Sequence, residues 1–158
     1  MSFAQPSLKG RALRLLSGRE YSRAELERKL KTHEETSGEL VRALDELQAK
    51  GFISEQRVVE SVINRRSAKL GTARIRQELQ GKGLDPQAVT DAVASLKATE
   101  LSRAREVWRK KFGAKSDGVV TDAVERGKQM RFLAARGFGG DVIRRVVSGG
   151  AGDDALDE

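Results

Sequence analysis

The chain has 158 residues, 38% of them hydrophobic, 4% aromatic and 34% charged, with a formal net charge of +7 and no cysteine. So little apolar and aromatic material argues against one thick shared core and favours thin helical layers, each burying a single stripe. The missing cysteine excludes disulfides, thiolate metal sites and cysteine nucleophiles, and fits a reducing, cytoplasmic setting.

In chain order, residues 1–10 read as a lead-in; MSFAQPSLKG has no apolar secretory core, and no stretch of the sequence approaches a membrane span. Residues 11–51 read as a first three-helix repeat. ALRLLS (12–17) forms its opening helix, and Ser22 caps a second helix to about Leu30, with Glu25 completing a capping box. After the loop THEETSG, a third helix runs from Glu39 to about Lys50, and Gly51 stops it. Residues 52–97 form a second repeat, starting at Ser54, with Val58, Val59, Val62 and Ile63 facing inward. Gly71 and Thr72 open its middle helix, Gly81 and Gly83 close it, and Asp85-Pro86 starts the last helix with a cap and a proline at the first position. Residues 98–147 read as a third repeat led by an extra helix, 101–113, in which Val107, Trp108 and Phe112 pack. The loop AKSDG, a helix carrying Val120, Val124 and Met130 to Leu133, a turn over Gly137 to Gly140 and a helix over 141–147 complete it. Residues 148–158 read as an acidic disordered tail.

Self-similarity supports this division. Shifted by 49 residues, YSRAELERKL (21–30) lies on LGTARIRQEL (70–79), and ELVRALDEL (39–47) lies on AVTDAVASL (88–96). Leu26 then matches Ile75, Leu30 matches Leu79, Leu40 matches Val89, Leu44 matches Val93 and Leu47 matches Leu96. These positions recur at helical spacing, as inner stripes do. A fainter copy places FGGDVIRRVV (138–147) on 21–30. The fold class expected is all-α, an elongated array of tandem three-helix, helix-turn-helix-like repeats in which each repeat touches mainly its neighbours.

The charge is unevenly spread. The last eleven residues carry Asp153, Asp154, Asp157 and Glu158 and no base, which leaves residues 1–147 with 30 basic and 19 acidic side chains. A body this basic attracts polyanions, nucleic acid above all. The candidate contacts are Arg65, Arg66, Lys69, Arg74, Arg76 and Lys82 in the second repeat, Arg109, Lys110 and Lys111 beside Trp108, and Arg131, Arg136, Arg144 and Arg145 near the end. Arg74 and Glu78 stand four apart, so an exposed helix pair is the simpler reading for that arginine, whereas Arg76 and Lys82 face a partner. Trp108 stacks on a base or packs in the core, and its apolar neighbours favour the core. His33, in a polar loop, reads as a plain surface residue. The acidic tail could fold back on the basic body and compete with DNA.

The run GFISEQRVVESVINRRSAKLGTARIRQELQGKGL (51–84) resembles the second repeat of the RecX regulators, with Gly51-Phe52-Ile53, Arg65, Gly71, Arg74-Ile75, Glu78-Leu79 and Lys82-Gly83-Leu84 matching the family pattern. ALRLLSGREYSRAELERKL (12–30) is similar to that family's opening, and KQMRFLAARGF (128–138) to its third-repeat signature. The resemblance spans about residues 11–147 and departs from the pattern in the acidic tail and the GFGGD turn. It implies a cytoplasmic non-enzyme, without metal or other cofactor and acting as a monomer, that binds RecA as a filament on single-stranded DNA. It also implies binding along the filament groove, restraint of filament growth and of RecA activity, and DNA binding of its own without strong sequence preference. A sequence-specific helix-turn-helix transcriptional regulator is the alternative; against it, Gln77 and Gln80 are the only amide side chains on the second repeat's middle helix to read base edges. No phosphate-loop, HExxH or Ser/His/Asp pattern points to an enzyme.

Overall fold

The computed structural model describes residues 5–113 and 122–149. Among these are eight α-helices, one short 3-10 turn and no strand. The chain divides into two compact units, Met1–Ser61 with Leu79–Val89 and Val62–Glu78 with Thr90–Glu158.

The first unit holds α1 (Leu8–Gly18), α2 (Arg23–Leu30), the 3-10 turn Lys31–His33 and α3 (Glu39–Ala49). Ser7 caps α1 by accepting from the Gly10 amide, and helix begins four residues before the expected start. The capping box at α2 forms in both directions: the Ser22 hydroxyl accepts from the Glu25 amide at 3.1 Å, and the Glu25 carboxylate accepts from the Ser22 amide at 3.0 Å. Gly51, at φ +82°, takes the left-handed conformation that ends α3 where most side chains would be strained. Leu8, Ala12, Tyr21, Leu26, Leu30, Leu40, Leu44, Leu47 and Ile53 form the core. Burying an aliphatic side chain of this kind contributes about 1.5–3 kcal/mol, and each helix supplies one such stripe.

Segment Leu79–Val89 completes the unit by docking a turn on α2. The Ser22 hydroxyl donates to the Lys82 carbonyl at 2.5 Å, and Arg28 donates to the Gly81 carbonyl at 2.9 Å. Gly83, at φ +64°, lies so near α2 that a Cβ there would come within 2.7 Å of the Ala24 Cβ.

The second unit takes the end of α4 (Glu55–Arg66), most of α5 (Thr72–Gly81) and the bulk of α6 (Pro86–Phe112), followed by α7 (Ala123–Ala135) and α8 (Gly140–Ser148). Its core gathers Ala104, Val107, Leu133, Phe138, Ile143, Val146 and Val147, with Leu101, Trp108, Met130, Phe132 and Val142 packed against it. Here too a glycine turn docks on a helix start. The Gly71 amide donates to the Arg136 carbonyl at 2.7 Å, the Ala73 amide to the Gly137 carbonyl at 3.2 Å, and Arg74 to the Ala135 carbonyl at 2.7 Å. The two backbones touch: a Cβ on Gly71 would overlap Gly137, and one on Gly137 would overlap the Arg74 side chain. Gly137, the first residue of the GFGGD turn, is therefore a packing requirement, whereas a Cβ at Gly139 or Gly140 would make only ordinary contacts.

Three expectations need correction. The extra helix expected over 101–113 is the C-terminal half of α6, which runs unbroken for 27 residues. No glycine or proline interrupts residues 87–112, and the Ala-, Leu-, Arg- and Glu-rich run favours continuation. The faint copy placed 138–147 on the middle helix of the first repeat, yet α8 follows its docked turn as α6 follows the turn docked on α2, so α8 answers to a third helix. Val124 is 77% exposed and packs in no core. The AKSDG loop with Val120 and the acidic residues of the tail lie outside the described residues.

Candidate polyanion-binding surface

The units differ sharply in charge. The first has 12 lysines and arginines against 11 acids; the second, through Val147, has 18 against 8. The first unit also spends its cations internally. Lys9 and Lys50 share Glu46 at 2.7 and 3.0 Å, Arg23 reaches Asp45 at 2.7 Å, and Arg57 reaches Glu20 at 2.9 Å. Glu25 takes Arg19 at 2.9 Å and Lys82 at 3.2 Å. Burial alone would push the Glu25 carboxyl up, but the hydrogen bonds from Arg19, from the Ser22 amide and from Lys82 outweigh it and hold it at about 2.

Lys82 therefore does not face a partner: its side chain is only 12% exposed and clasps the Glu25 capping box. The other twelve sequence-predicted cations fall in the second unit. Arg65 and Arg66, at the end of α4, both reach Glu78, at 3.9 and 3.3 Å. Glu78 is thus held by α4, while Arg74, expected to pair with it, donates to Ala135 and lays its alkyl chain over Gly137. Two guanidiniums to one carboxylate leave that corner cationic, and Lys69 stands exposed beside it in the turn after α4. Arg76 is half-buried on α5.

A second cluster surrounds Phe132. Phe112 meets it edge-on at 5.3 Å, and Lys111 and Arg136 lie 5.7 and 4.8 Å from its ring centre. The aromatic face holds these two cations in place at small entropic cost. Arg109 is exposed and bonded to Glu106, whose carboxyl this bond draws below its ordinary range; Lys110 beside it and Arg131 on α7 are exposed. Arg144 pairs with Asp141 at the start of α8, and Arg145 is exposed one residue on. Trp108 is core: its indole donates to Gln129, itself 2% exposed, at 2.8 Å.

The sequence reading missed Arg103. Its guanidinium donates to the carbonyls of Ser67, Leu70 and Leu96 and to the Thr72 hydroxyl, tying the turn before α5 to α6, and Glu100 beside it accepts from the Thr72 amide. Burial draws the arginine below its usual range and the Glu100 charge opposes that shift. Nothing in local sequence separates such an arginine from one aimed at solvent.

Among the described residues no group of His, Cys, Asp and Glu could hold a metal ion, and no helix is long and apolar enough to cross a membrane. What the surface offers is cationic side chains carried on helices. That defines the class: an all-helical protein of tandem three-helix domains. Family models for the first, second and third three-helix domains of RecX match residues 9–47, 54–93 and 98–147 in order, and the chain belongs to the RecX family. It is 52% identical to the regulatory protein RecX of Leptothrix cholodnii over 143 residues, covering 90% of this chain and 88% of that one. Identity to the regulatory protein RecX of Herminiimonas arsenicoxydans is 46%, over 93% of this chain and 95% of that one. The crystal structure of RecX from Lactobacillus salivarius shares the fold, with a TM-score of 0.69 at 19% identity over 88% of this chain and 91% of that one. The relatives are named as regulatory proteins, not enzymes.

Proposed function

We propose that this chain modulates the RecA recombinase, binding the RecA filament on single-stranded DNA along its groove and limiting filament growth, ATP hydrolysis and strand exchange. RecX membership supplies the partner, and the cation excess of the second unit, 18 against 8, is the observation that supports the mode of binding. A filament groove repeats phosphate charge at fixed intervals. Cations fixed on helices meet such a partner with less loss of freedom than cations on a tail, and counterion release supplies an attraction indifferent to base sequence. The chain acts as a monomer, without cofactor, in the cytoplasm, and touches DNA itself without strong sequence preference.

A competition experiment tests this reading. Labelled protein bound to RecA–single-stranded DNA filaments is challenged with unrelated duplexes. Displacement should be weak and equal for all duplexes, with affinity falling steeply as salt rises from about 50 to 200 mM. Selective displacement by one duplex sequence would instead favour a sequence-specific repressor.

A further inference from the structure

The first unit holds a cleft that the proposed activity does not use. It measures about 590 Å³ and opens between α1 and the α2–3-10 segment. A volume of this size suits a small organic ligand. Arg11, Arg14, Leu15 and Gly18 line it from one face of α1, at the i, i+3, i+4, i+7 spacing that brings side chains together; Lys29, Leu30 and His33 line it from the other side, and Tyr21, buried with the Arg19 guanidinium 3.5 Å from its ring centre, borders it. No carboxylate is among the lining residues.

The second observation is the pairing pattern around it. Elsewhere in this unit Lys9, Arg19, Arg23, Lys50, Arg57 and Lys82 all reach carboxylates; none of these ion pairs involves Arg11, Arg14 or Lys29. Among the described residues Arg11 bonds a neutral amide, that of Gln5, at 3.2 Å, and Lys29 sits 5.8 Å from the Tyr21 ring centre. A unit with 12 cations and 11 acids thus gathers at one concavity three cations that, among the described residues, pair with no carboxylate. Like charges spaced three apart on a helix repel modestly, and a bound anion would relieve that repulsion. Arginine forks suit phosphate oxygens, and half-buried Leu15, beside the buried Leu30, gives the cleft one apolar wall for a flat base.

We infer that this cleft binds a nucleoside polyphosphate, its phosphates held by Arg11, Arg14 and Lys29 and its base against the apolar wall. The inference does not rest on the RecA reading, and its failure would leave that reading intact. The test is titration of the full chain with a fluorescent ATP analogue, followed by displacement with ATP, inorganic tripolyphosphate and a short single-stranded oligonucleotide. Saturable binding displaced best by ATP is expected. Arg14→Gln and Lys29→Gln, both exposed side chains, should each weaken it roughly tenfold or more at unchanged helix content, whereas Arg42→Gln, an exposed cation on α3 outside the cleft, should leave it unchanged. Amide NMR shifts on adding ATP should centre on residues 10–18 and 29–33. Absence of binding up to about 1 mM, an affinity that Arg14→Gln and Lys29→Gln leave unaltered, or tripolyphosphate competing as well as ATP would each overturn the assignment. So would tighter displacement by the oligonucleotide, which would make the cleft part of a nucleic-acid surface.

Discussion

Glycine and charge act at single positions here in ways that can be separated by experiment. Gly71 and Gly38 look alike in sequence, but a Cβ at Gly71 would overlap the Gly137 backbone, whereas one at Gly38, φ +86°, meets nothing within 4 Å. Gly71→Ala should cost more than 2 kcal/mol because the turn must part from α5; Gly38→Ala should cost about 1–2 kcal/mol of backbone strain only. Urea denaturation of the two variants measures the difference, and equal losses would argue against backbone contact at Gly71. Glu25 allows a pH test. Its folded value, about 2, lies below the ordinary 4.5, so it stabilises the fold fully above about pH 4.5 and the contribution is lost as pH falls toward 2. Glu25→Gln should therefore be less stable at neutral pH and lose less stability across that window. Glu46, held near 2 by hydrogen bonds from Lys9 and Lys50, behaves similarly but is exposed, so salt should screen it.

Among the elements, α6 separates what local pattern reveals from what it hides. Apolar spacing and caps located α2, α3, α4 and α5 to within a residue or two, because Ser22, Gly51, Ser54 and Gly83 carry out in the fold the stop-and-start chemistry their types announce. The inner stripes matched by the 49-residue shift are buried, Leu26 and Ile75 both fully. The division of residues 86–112 into two helices came from treating repeats as separate bodies, although no breaker stands between them. Ala98→Pro distinguishes the cases. In a continuous helix it should cost about 3 kcal/mol or more and reduce helix content, whereas at a junction it would be tolerated. Arg103 belongs to this scale too. Arg103→Met should strip the Ser67 and Leu70 carbonyls of their arginine donor, Leu96 keeping the Thr99 hydroxyl, and destabilise by about 2 kcal/mol or more, read by thermal denaturation.

For the whole molecule, the legible quantity was total charge and the illegible one its division. Counting residues 1–147 together hides that 12 cations face 11 acids in one unit and 18 face 8 in the other. Twelve of the cations that local clustering singles out fall in the second unit, but clustering could not tell that Lys82 closes on Glu25 or that Arg74 fastens a turn, since both partners lie more than fifty residues away in sequence. His33, read as a plain surface residue, is exposed, and its place beside the cleft depends on α1, far off in sequence. The most direct measurement of the central claim is single-stranded-DNA-dependent ATP hydrolysis by RecA with this protein titrated in, wild type beside a variant reversing Arg65, Arg66 and Lys69. The account predicts that the wild type depresses hydrolysis in a salt-sensitive manner and that the variant, with unchanged helix content, does so at least tenfold less effectively. Equal inhibition by both, or none by the wild type, would contradict it.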